Sequence, residues 1–270
     1  MMGFQQWLDS IPMVGFFLLF IVVSLLVIEA GYRLGHWWQT RTEDEQEGPT
    51  GMLVGSLLAM MAFLLAITMG MASERFDTRR ALVLQEANAV GTVYLRAGLL
   101  PEPASSEIRE RLREYAAVRI ATNDLEDLRA RVARSIEIHG EVWSIVEELA
   151  PVAPDSEILS LFIDSLNAMI DLHETRLTAG YYARVPETIF ILLLAGTMLT
   201  LAMVGYNSGL SLRRGPLASV VLILILGAVI TLVVDLDRPR DGFLEVSQQP
   251  LVDLVEQISG APGEAGIARP

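Results

Sequence analysis

The charged residues that close the last apolar run of the sequence are the first feature with a chemistry to explain. Within "DLDRPRDG", residues 235–242, Asp235 and Asp237 precede Arg238, and a proline follows. Proline cannot continue a helix, and arginines at such a boundary would lie among lipid headgroups. Anchoring needs only the positive charges, so we expect Asp235, Asp237 or both to pair with arginines of another element. The arginines considered as partners are Arg75, Arg79 and Arg184.

A second group of charges lies within otherwise apolar helices. Glu29 and Arg33 are four residues apart, so they share a helix face and can pair. A charge inside a span indicates a functional site by default, but this pair is near the end of its apolar run, which favours an interfacial ion pair. Glu86 and Arg96 would line a wet cavity or face solvent, and solvent is the simpler interpretation. We assign structural or gating roles to Glu29, Arg33, Glu86, Arg96, Asp235, Asp237 and Arg238.

The histidines do not fit the pattern of a metal site or a catalytic centre. His139 lies between Glu137 and Glu141, but residues two apart on a helix point about 200° away from each other. These three side chains therefore cannot ligate one ion. The segment "HETR" at His173 lacks the second histidine of a zinc protease helix, and the chain has no cysteine. We predict no metal, no cofactor and no enzymatic activity.

Four apolar blocks indicate the fold class. Each is close to the ~20 residues that a helix needs to cross ~30 Å of hydrocarbon, and uninterrupted apolar runs exclude the alternating strands of a barrel. The sequence therefore predicts an all-α integral membrane protein with four transmembrane helices. The blocks are Pro12–Gly35, Gly51–Ala72, Pro186–Tyr206 and Leu217–Asp235.

The distribution of arginine predicts the topology. Four spans put both termini and the long segment between spans 2 and 3 on one face, and that face has seven arginines near the membrane against four on the other. The positive-inside rule then makes this face cytoplasmic, in a bacterial inner membrane. The expected divisions are 1–72 for spans 1 and 2, 73–185 for a helical cytoplasmic domain, 186–236 for spans 3 and 4, and 237–270 for a cytoplasmic tail. The net charge of −13 argues against nucleic acid as a partner.

The segment inserted between spans 2 and 3 is expected to be helical throughout. Apolar residues recur at alternating spacings of three and four from Ile108 to Leu149, which is typical of a helix buried along one stripe. "TND", residues 122–124, could cap a fresh helix and divide this stretch in two. The second span has no stop signal before Pro101, so one helix from Gly51 to about Ala97 would be roughly 70 Å long.

Three pairs of glycines have the small-xxx-small spacing that allows helices in membranes to approach closely. Helix packing is the expected use of each pair. The pairs are Gly31 with Gly35, Gly51 with Gly55, and Gly205 with Gly209.

Three motifs in this sequence resemble a known family. "EAGYRLG" at Glu29–Gly35, "EANAVGTVYLRAGLLP" at Glu86–Pro101 and "DLDRPRDGFLEVSQQPL" at Asp235–Leu251 are similar to those of the bestrophin-like bacterial membrane proteins of unknown function. That family is distantly related to the bestrophins, which are pentameric anion channels. The resemblance implies a homo-oligomer, a pentamer by analogy, that passes inorganic ions and is embedded in membrane lipid.

The resemblance also implies that the second helix of each subunit lines a central pore with an apolar constriction. One face of that helix has the required three-and-four spacing, and dewetting at an apolar ring can gate conduction. Its residues are Ser56, Met60, Phe63, Ile67 and Gly70. The alternative is a membrane-anchored scaffold or sensor, whose stripe from Ile108 to Leu149 would bind the helix of a partner protein.

Overall fold

The computed structural model describes residues 8–41, 47–120, 124–181, 184–212, 214–239 and 242–260 of the chain. Within these residues there are eight helices of 11 residues or more. They are α1 Met13–Gln39, α2 Glu47–Ala97, α3 Ala104–Val118, α4 Leu125–Leu149, α5 Glu157–Tyr181, α6 Glu187–Leu210, α7 Pro216–Asp237 and α8 Gln249–Ser259.

Four of the helices are long and apolar enough to cross a membrane, as the sequence predicts. They are α1, α2, α6 and α7, with 27, 51, 24 and 22 residues. Proline stands immediately before or at the first residue of three of them, at Pro12, Pro186 and Pro216. Its fixed φ suits the start of a helix, and its missing N–H is one that a helix start does not use. The expected all-α architecture with four spanning helices is confirmed.

The second span continues without a break, as its composition predicts. α2 runs as one helix from Glu47 to Ala97, so its 51 residues would extend about 77 Å at ~1.5 Å per residue. It ends where Pro101 and Pro103 follow within a few residues. α2 contains no proline after Pro49, so the apolar span and the polar segment after it form one element.

The chain divides into two compact units. The membrane unit consists of Met1–Phe76 and Arg184–Glu245, and the inserted unit consists of Asp77–Ala183 and Val246–Pro270. α2 therefore contributes its first part to one unit and its last part to the other.

In the membrane unit, α1 and α6 approach so closely that their backbones touch. A Cβ on Gly31 would overlap the carbonyl oxygen of Ala202, and one on Gly205 would overlap that of Ile28. Gly35 and Gly209 face the opposite helix in the same way. The packing use expected for these two pairs is confirmed. The third pair differs, since a Cβ on Gly55 would meet nothing within 4 Å.

The inserted unit has its own apolar core, built mainly from α3, α4, α5 and the last part of α2. The core includes Val90, Ile108, Ile138, Phe162 and Leu166, all of them buried. The stretch from Ile108 to Leu149 forms two helices. Asp124 caps the second of them by accepting hydrogen bonds from the backbone N–H groups of Glu126 and Asp127, at 2.8 and 3.4 Å.

The structure also contains a helix that the sequence analysis did not anticipate. α8 follows the last span, and its buried side chains Leu251, Leu254 and Ile258 belong to the core of the inserted unit. A Cβ on Gly91 of α2 would touch Leu254, at 3.4 Å from its Cδ1 atom. The residues after the last span thus include a packed helix of 11 residues.

Substituting Gly205 by alanine tests the close approach of α1 and α6. Because the new methyl would overlap a backbone oxygen of the opposite helix, the helices must separate, and we expect the thermal unfolding midpoint in detergent to fall clearly. Gly55→Ala is the matched control, since its methyl meets nothing and alanine favours a helix by ~1 kcal/mol over glycine. Equal midpoints for the two variants would contradict the packing argument.

Candidate functional site

The five residues predicted to line a pore share one uncovered face of α2. Met60, Phe63 and Ile67 have exposed fractions of 51%, 65% and 46%. Ser56 is also exposed, and its hydroxyl donates to the carbonyl of Met52 at 3.0 Å, so the helix itself satisfies that polar group. A Cβ on Gly70 would meet nothing within 4 Å. The chain by itself therefore leaves this face free for contact with lipid, with water or with another subunit.

The other side of the same stretch of α2 packs within the membrane unit. Met61, Leu65 and Ala72 are buried in the core of that unit. A Cβ on Gly196 of α6 would come within 3.0 Å of the Met61 sulfur, so α2 and α6 meet at this point. This side of α2 therefore faces the rest of the membrane unit.

Glu29 and Arg33 form the ion pair that their spacing predicts. Arg33 Nε lies 2.9 Å from a carboxylate oxygen of Glu29. Arg214, in the segment before α7, lies 3.7 Å from the other oxygen, and its guanidinium is 4.2 Å from the centroid of the Tyr32 ring. Arg33 is largely exposed, and exposed pairs of this kind contribute ~0–1 kcal/mol. The geometry fits a link between α1 and the α6–α7 connection.

Asp237 holds together two segments at the end of the last span. One of its oxygens accepts the backbone N–H of Val185 at 2.7 Å, and the other lies 3.2 Å from Nε of Arg184. The side chain of Asp237 is 1% exposed. Arg184 also donates to both oxygens of Asp9, at 2.7 and 3.0 Å. The expected pairing of an aspartate here with an arginine of another element is confirmed for Asp237, with Arg184 as the partner.

Arg238 ties the segment before α1 to the same place. Its guanidinium donates to the backbone carbonyls of Leu8 and Ile11, the latter at 2.9 Å, and its Nε lies 3.8 Å from Asp9. Burial opposes the charged form of Arg184, but its hydrogen bonds and ion pairs with Asp9 and Asp237 outweigh that effect and raise its pKa. Arg184 therefore stays charged at neutral pH.

Asp235 has a different role from Asp237. Its carboxylate accepts the backbone N–H groups of Phe243 and Leu244, at 2.7 and 3.0 Å. Gly242 is needed for this turn, because a Cβ there would come within 2.6 Å of an Asp235 oxygen. The aspartate thus folds the chain back against the end of α7.

Glu86 is the centre of a buried charge network in the inserted unit. Its side chain has no exposed surface, and it meets two arginines. Nε of Arg119 lies 2.5 Å from one oxygen, and Arg176 from α5 binds the other. The interpretation of Glu86 as a solvated residue is therefore wrong. Two cations with fixed positions stabilise the buried carboxylate, which would otherwise be expelled to water.

The network extends to a tyrosine and two histidines. The Tyr115 hydroxyl donates to Glu86 at 3.1 Å and lies 3.5 Å from Nδ1 of His173. Burial, reinforced by the Glu86 charge, raises the Tyr115 pKa, so the tyrosine keeps its proton. The His139 and His173 rings are T-shaped, 4.9 Å apart between centroids. Burial first, and then the charge of Arg119, lower their pKa values to about 4 and about 3, so both rings are neutral at pH 7.

The other charged residues considered in the sequence analysis, Arg96, Glu137 and Glu141, make hydrogen bonds within the inserted unit. Arg96 donates to the carbonyl of Leu161 on α5 at 2.5 Å. Glu137 and Glu141 bind Arg134, at 3.1 and 2.7 Å. Among the described residues, no group of three or more possible ligands has the geometry to hold a metal ion.

Sequence reasoning missed most members of the Glu86 network. Its partners are 33 and 90 residues away along the chain, so no local spacing relates them. One signal was present, since Tyr115, His139 and His173 all occupy positions of the apolar stripes. A polar residue at a core position needs a buried partner, and that requirement would have pointed to a network.

The geometry defines a class of protein: an all-helical membrane protein with four spans and a helical unit inserted after the second. Residues 15–251 match the Bestrophin-like domain family, and the chain belongs to that family. The structure is similar to that of a bacterial bestrophin homologue from Klebsiella pneumoniae, with 14% identity over 92% of this chain and 98% of that one and a TM-score of 0.65.

Two further solved structures of membrane proteins have the same fold. One has 15% identity over 94% of this chain and 99% of the other, with a TM-score of 0.66. The second has 14% identity over 91% and 96%, with a TM-score of 0.65. No curated protein matches the chain.

Replacing Glu86 by glutamine tests the buried network. The change leaves two guanidinium groups without their carboxylate, and removing one partner of a buried ion pair costs ~3–5 kcal/mol. We expect a large fall in the unfolding midpoint, followed by helical circular dichroism in detergent. Glu174→Gln, an exposed position on α5, is the control and should leave the midpoint unchanged. A variant Glu86→Gln as stable as the control would show that the network is not stabilising.

The lowered pKa values of His139 and His173 predict that the free energy of unfolding decreases in acid. Their pKa values lie below the ordinary 6.5, so the unfolded chain binds protons more readily than the folded one. The stability they contribute is complete above pH ~6.5 and is lost as the pH falls towards 4 and 3, by about 1.4 kcal/mol per pH unit for each ring. His173→Gln should flatten the dependence of unfolding on pH between 6 and 4. A slope equal to that of the original chain would contradict the assignment.

Proposed function

We propose that this protein is an oligomeric, channel-like protein that conducts inorganic ions, with α2 of each subunit lining a central pore. By analogy with the bestrophins, the oligomer is a pentamer. The proposal gives the protein no catalytic role and no cofactor.

The observation that carries the proposal is the composition of one face of α2. From Ser56 to Gly70 the exposed face is mostly apolar, and at the same helical spacing it continues as Ala81, Gln85, Asn88 and Thr92, which are also exposed. The polar positions lie beyond residue 72, in the part of α2 that the proposed topology places in water rather than in lipid. A pore that begins with an apolar constriction and opens into a wet vestibule requires this change of composition.

Membership of the Bestrophin-like family is a second and independent argument for a channel-like protein. The matched region includes α1 from residue 15, the other three spanning helices and most of the inserted unit.

We further propose that the protein lies in the bacterial inner membrane, with both termini and residues 73–185 in the cytoplasm. The support for that orientation is the excess of arginine near this face, seven against four.

The apolar constriction is proposed to control conduction. Phe63 and Ile67 are the bulky members of the exposed face, and copies of them around a symmetry axis would form successive apolar rings. Such rings exclude water when narrow, so ion flow depends on their diameter.

The scaffold alternative depended on an apolar stripe from Ile108 to Leu149 that would bind the helix of a partner protein. Most of that stripe is already covered within the chain. Ile108, Leu112 and Val146 of that stripe are buried in the core of the inserted unit itself, although Ile136 is 54% exposed. A helix pair that already buries most of its stripe has little apolar surface to offer another protein.

Shortening Phe63 or Ile67 to alanine tests the proposed pore face. Because alanine widens an apolar ring, we expect higher single-channel conductance or a constant leak in planar bilayers under asymmetric KCl. The reversal potential in the same recordings gives the sign of the ion selectivity.

Ile191→Ala is the matched control, since Ile191 is 50% exposed on the spanning helix α6. Its currents should equal those of the original chain. Unchanged currents in both the Phe63 and Ile67 variants would reject the pore face. Absence of any current from an intact oligomer would reject the channel itself.

A further inference from the structure

The uncovered face of α2 leads to a carboxylate at its next position. We call the five residues from Ser56 to Gly70 the pore face, and the same spacing of three and four residues then reaches Glu74, which is exposed. A helix turns by ~100° per residue, so Glu74 lies within about 40° of each of the five around the helix axis. It also belongs to the same unit as they do, since that unit includes Met1–Phe76. A mostly apolar face therefore ends in a charge.

Glu74 is the one ionisable residue on this face along the stretch of α2 from Ser56 to Thr92, all of which the structure describes. The positions that follow it at the same spacing are exposed and neutral, and they are Thr78, Ala81, Gln85, Asn88 and Thr92. Ions that pass along the face would therefore meet one charged side chain per subunit, and that charge is negative.

The arginines that follow Glu74 lie on other sides of the helix. At ~100° per residue, Arg75, Arg79 and Arg80 are displaced from Glu74 by about 100°, 140° and 120° around the axis. Arg79 is 7% exposed, and the Nε atom of Arg75 is buried. Asp77 is exposed and closer to the face, at about 60° from Glu74, so the nearest other charge is also negative.

Arginines at the ends of the other spans bind acids of the membrane unit. Arg33 and Arg214 both contact Glu29, at 2.9 and 3.7 Å. Arg184 contacts Asp237 at 3.2 Å. A preference for anions would require a positive charge on the face that lines the conducting path, and the described stretch from Ser56 to Thr92 supplies none there.

Glu74 follows the bulky part of the pore face by about two helix turns. Seven residues separate it from Ile67, a distance of ~10 Å along the axis. In a symmetric oligomer each copy places this carboxylate at the same height, so the copies together form a ring. Charges of one sign at the mouth of a narrow passage with apolar walls raise the local concentration of ions of the opposite sign. Rings of Asp or Glu select cations in this way.

We propose that the pore passes inorganic cations in preference to anions, and that Glu74 is the residue that determines this selectivity. The inference rests on the proposed function, because it requires the pore face of α2 to line the conducting path. A ring of carboxylates attracts a cation and repels an anion by similar energies, so both effects act on the permeability ratio in the same direction.

Recordings of the purified full chain in planar bilayers under a KCl gradient test this proposal, because the reversal potential gives the permeability ratio of K⁺ to Cl⁻. We expect a ratio well above one for the original chain. Glu74→Gln removes the ring of charge and should lower the ratio about ten-fold, and Glu74→Arg should bring it below one. Glu74→Asp keeps the charge and should keep the ratio well above one.

Asp77→Asn is the matched control, because it removes the same charge from an exposed position of α2 that lies about 60° away from Glu74. It should lower the ratio much less than Glu74→Gln does. An equal effect of the two variants, or an unchanged ratio in Glu74→Gln, would overturn the proposal and leave the channel standing. If Glu74→Gln does not assemble, a ratio of one or below in the original chain overturns the proposal instead. Absence of any current from an intact oligomer would reject the proposed function itself, and this inference with it.

Discussion

Burying a carboxylate requires an opposite charge or backbone N–H groups to meet it, and both units of this protein depend on that constraint at Glu86 and Asp237. The cost of burying an isolated ion is far larger than the stability of a typical domain, so each of these two carboxylates needs its partners. In the inserted unit, Glu86 of α2 is matched by Arg119 and by Arg176 of α5. The two histidines beside them remain neutral, because burial lowers the pKa of each ring and the nearby charge of Arg119 lowers it further.

The same constraint explains why the last span ends in a dense group of charges. Asp237 and Arg238 are buried, and each one binds a segment distant in sequence: Asp237 holds the residues before α6, and Arg238 holds the residues before α1. Asp235 uses backbone N–H groups of the following turn. The charges therefore do more than stop a helix at the membrane border. They attach three segments to the end of α7: the residues before α1, the residues before α6 and the turn that follows α7. Backbone groups of these segments supply hydrogen bonds to the buried charges.

The fold was predictable from sequence because its determinants are local. Runs of apolar residues define the spans, prolines define most of the breaks, and the absence of a stop signal predicted that α2 continues to Ala97. The glycine pairs of α1 and α6 were predictable as packing sites for the same reason. The Glu86 network was not, because ion pairs between α2, α5 and the end of α3 depend on tertiary structure. α8 escaped notice because only 11 residues carry its pattern, although Leu251, Leu254 and Ile258 have the three-and-four spacing of a helix.

The division of packing among the four spans bears on what α2 can do. α1 and α6 are locked together through glycines that place backbone against backbone, and α7 packs against α1, where a Cβ on Gly227 would touch Phe17 and Phe20. α2 uses only one side, through Met61 and Leu65, and leaves the face with Phe63 and Ile67 uncovered. α1, α6 and α7 thus pack as one group, and α6 meets α2 at Met61. One side of α2 packs within the membrane unit, and its other face stays uncovered. Such a helix can present the same surface in every copy of a symmetric assembly, which a pore lining requires.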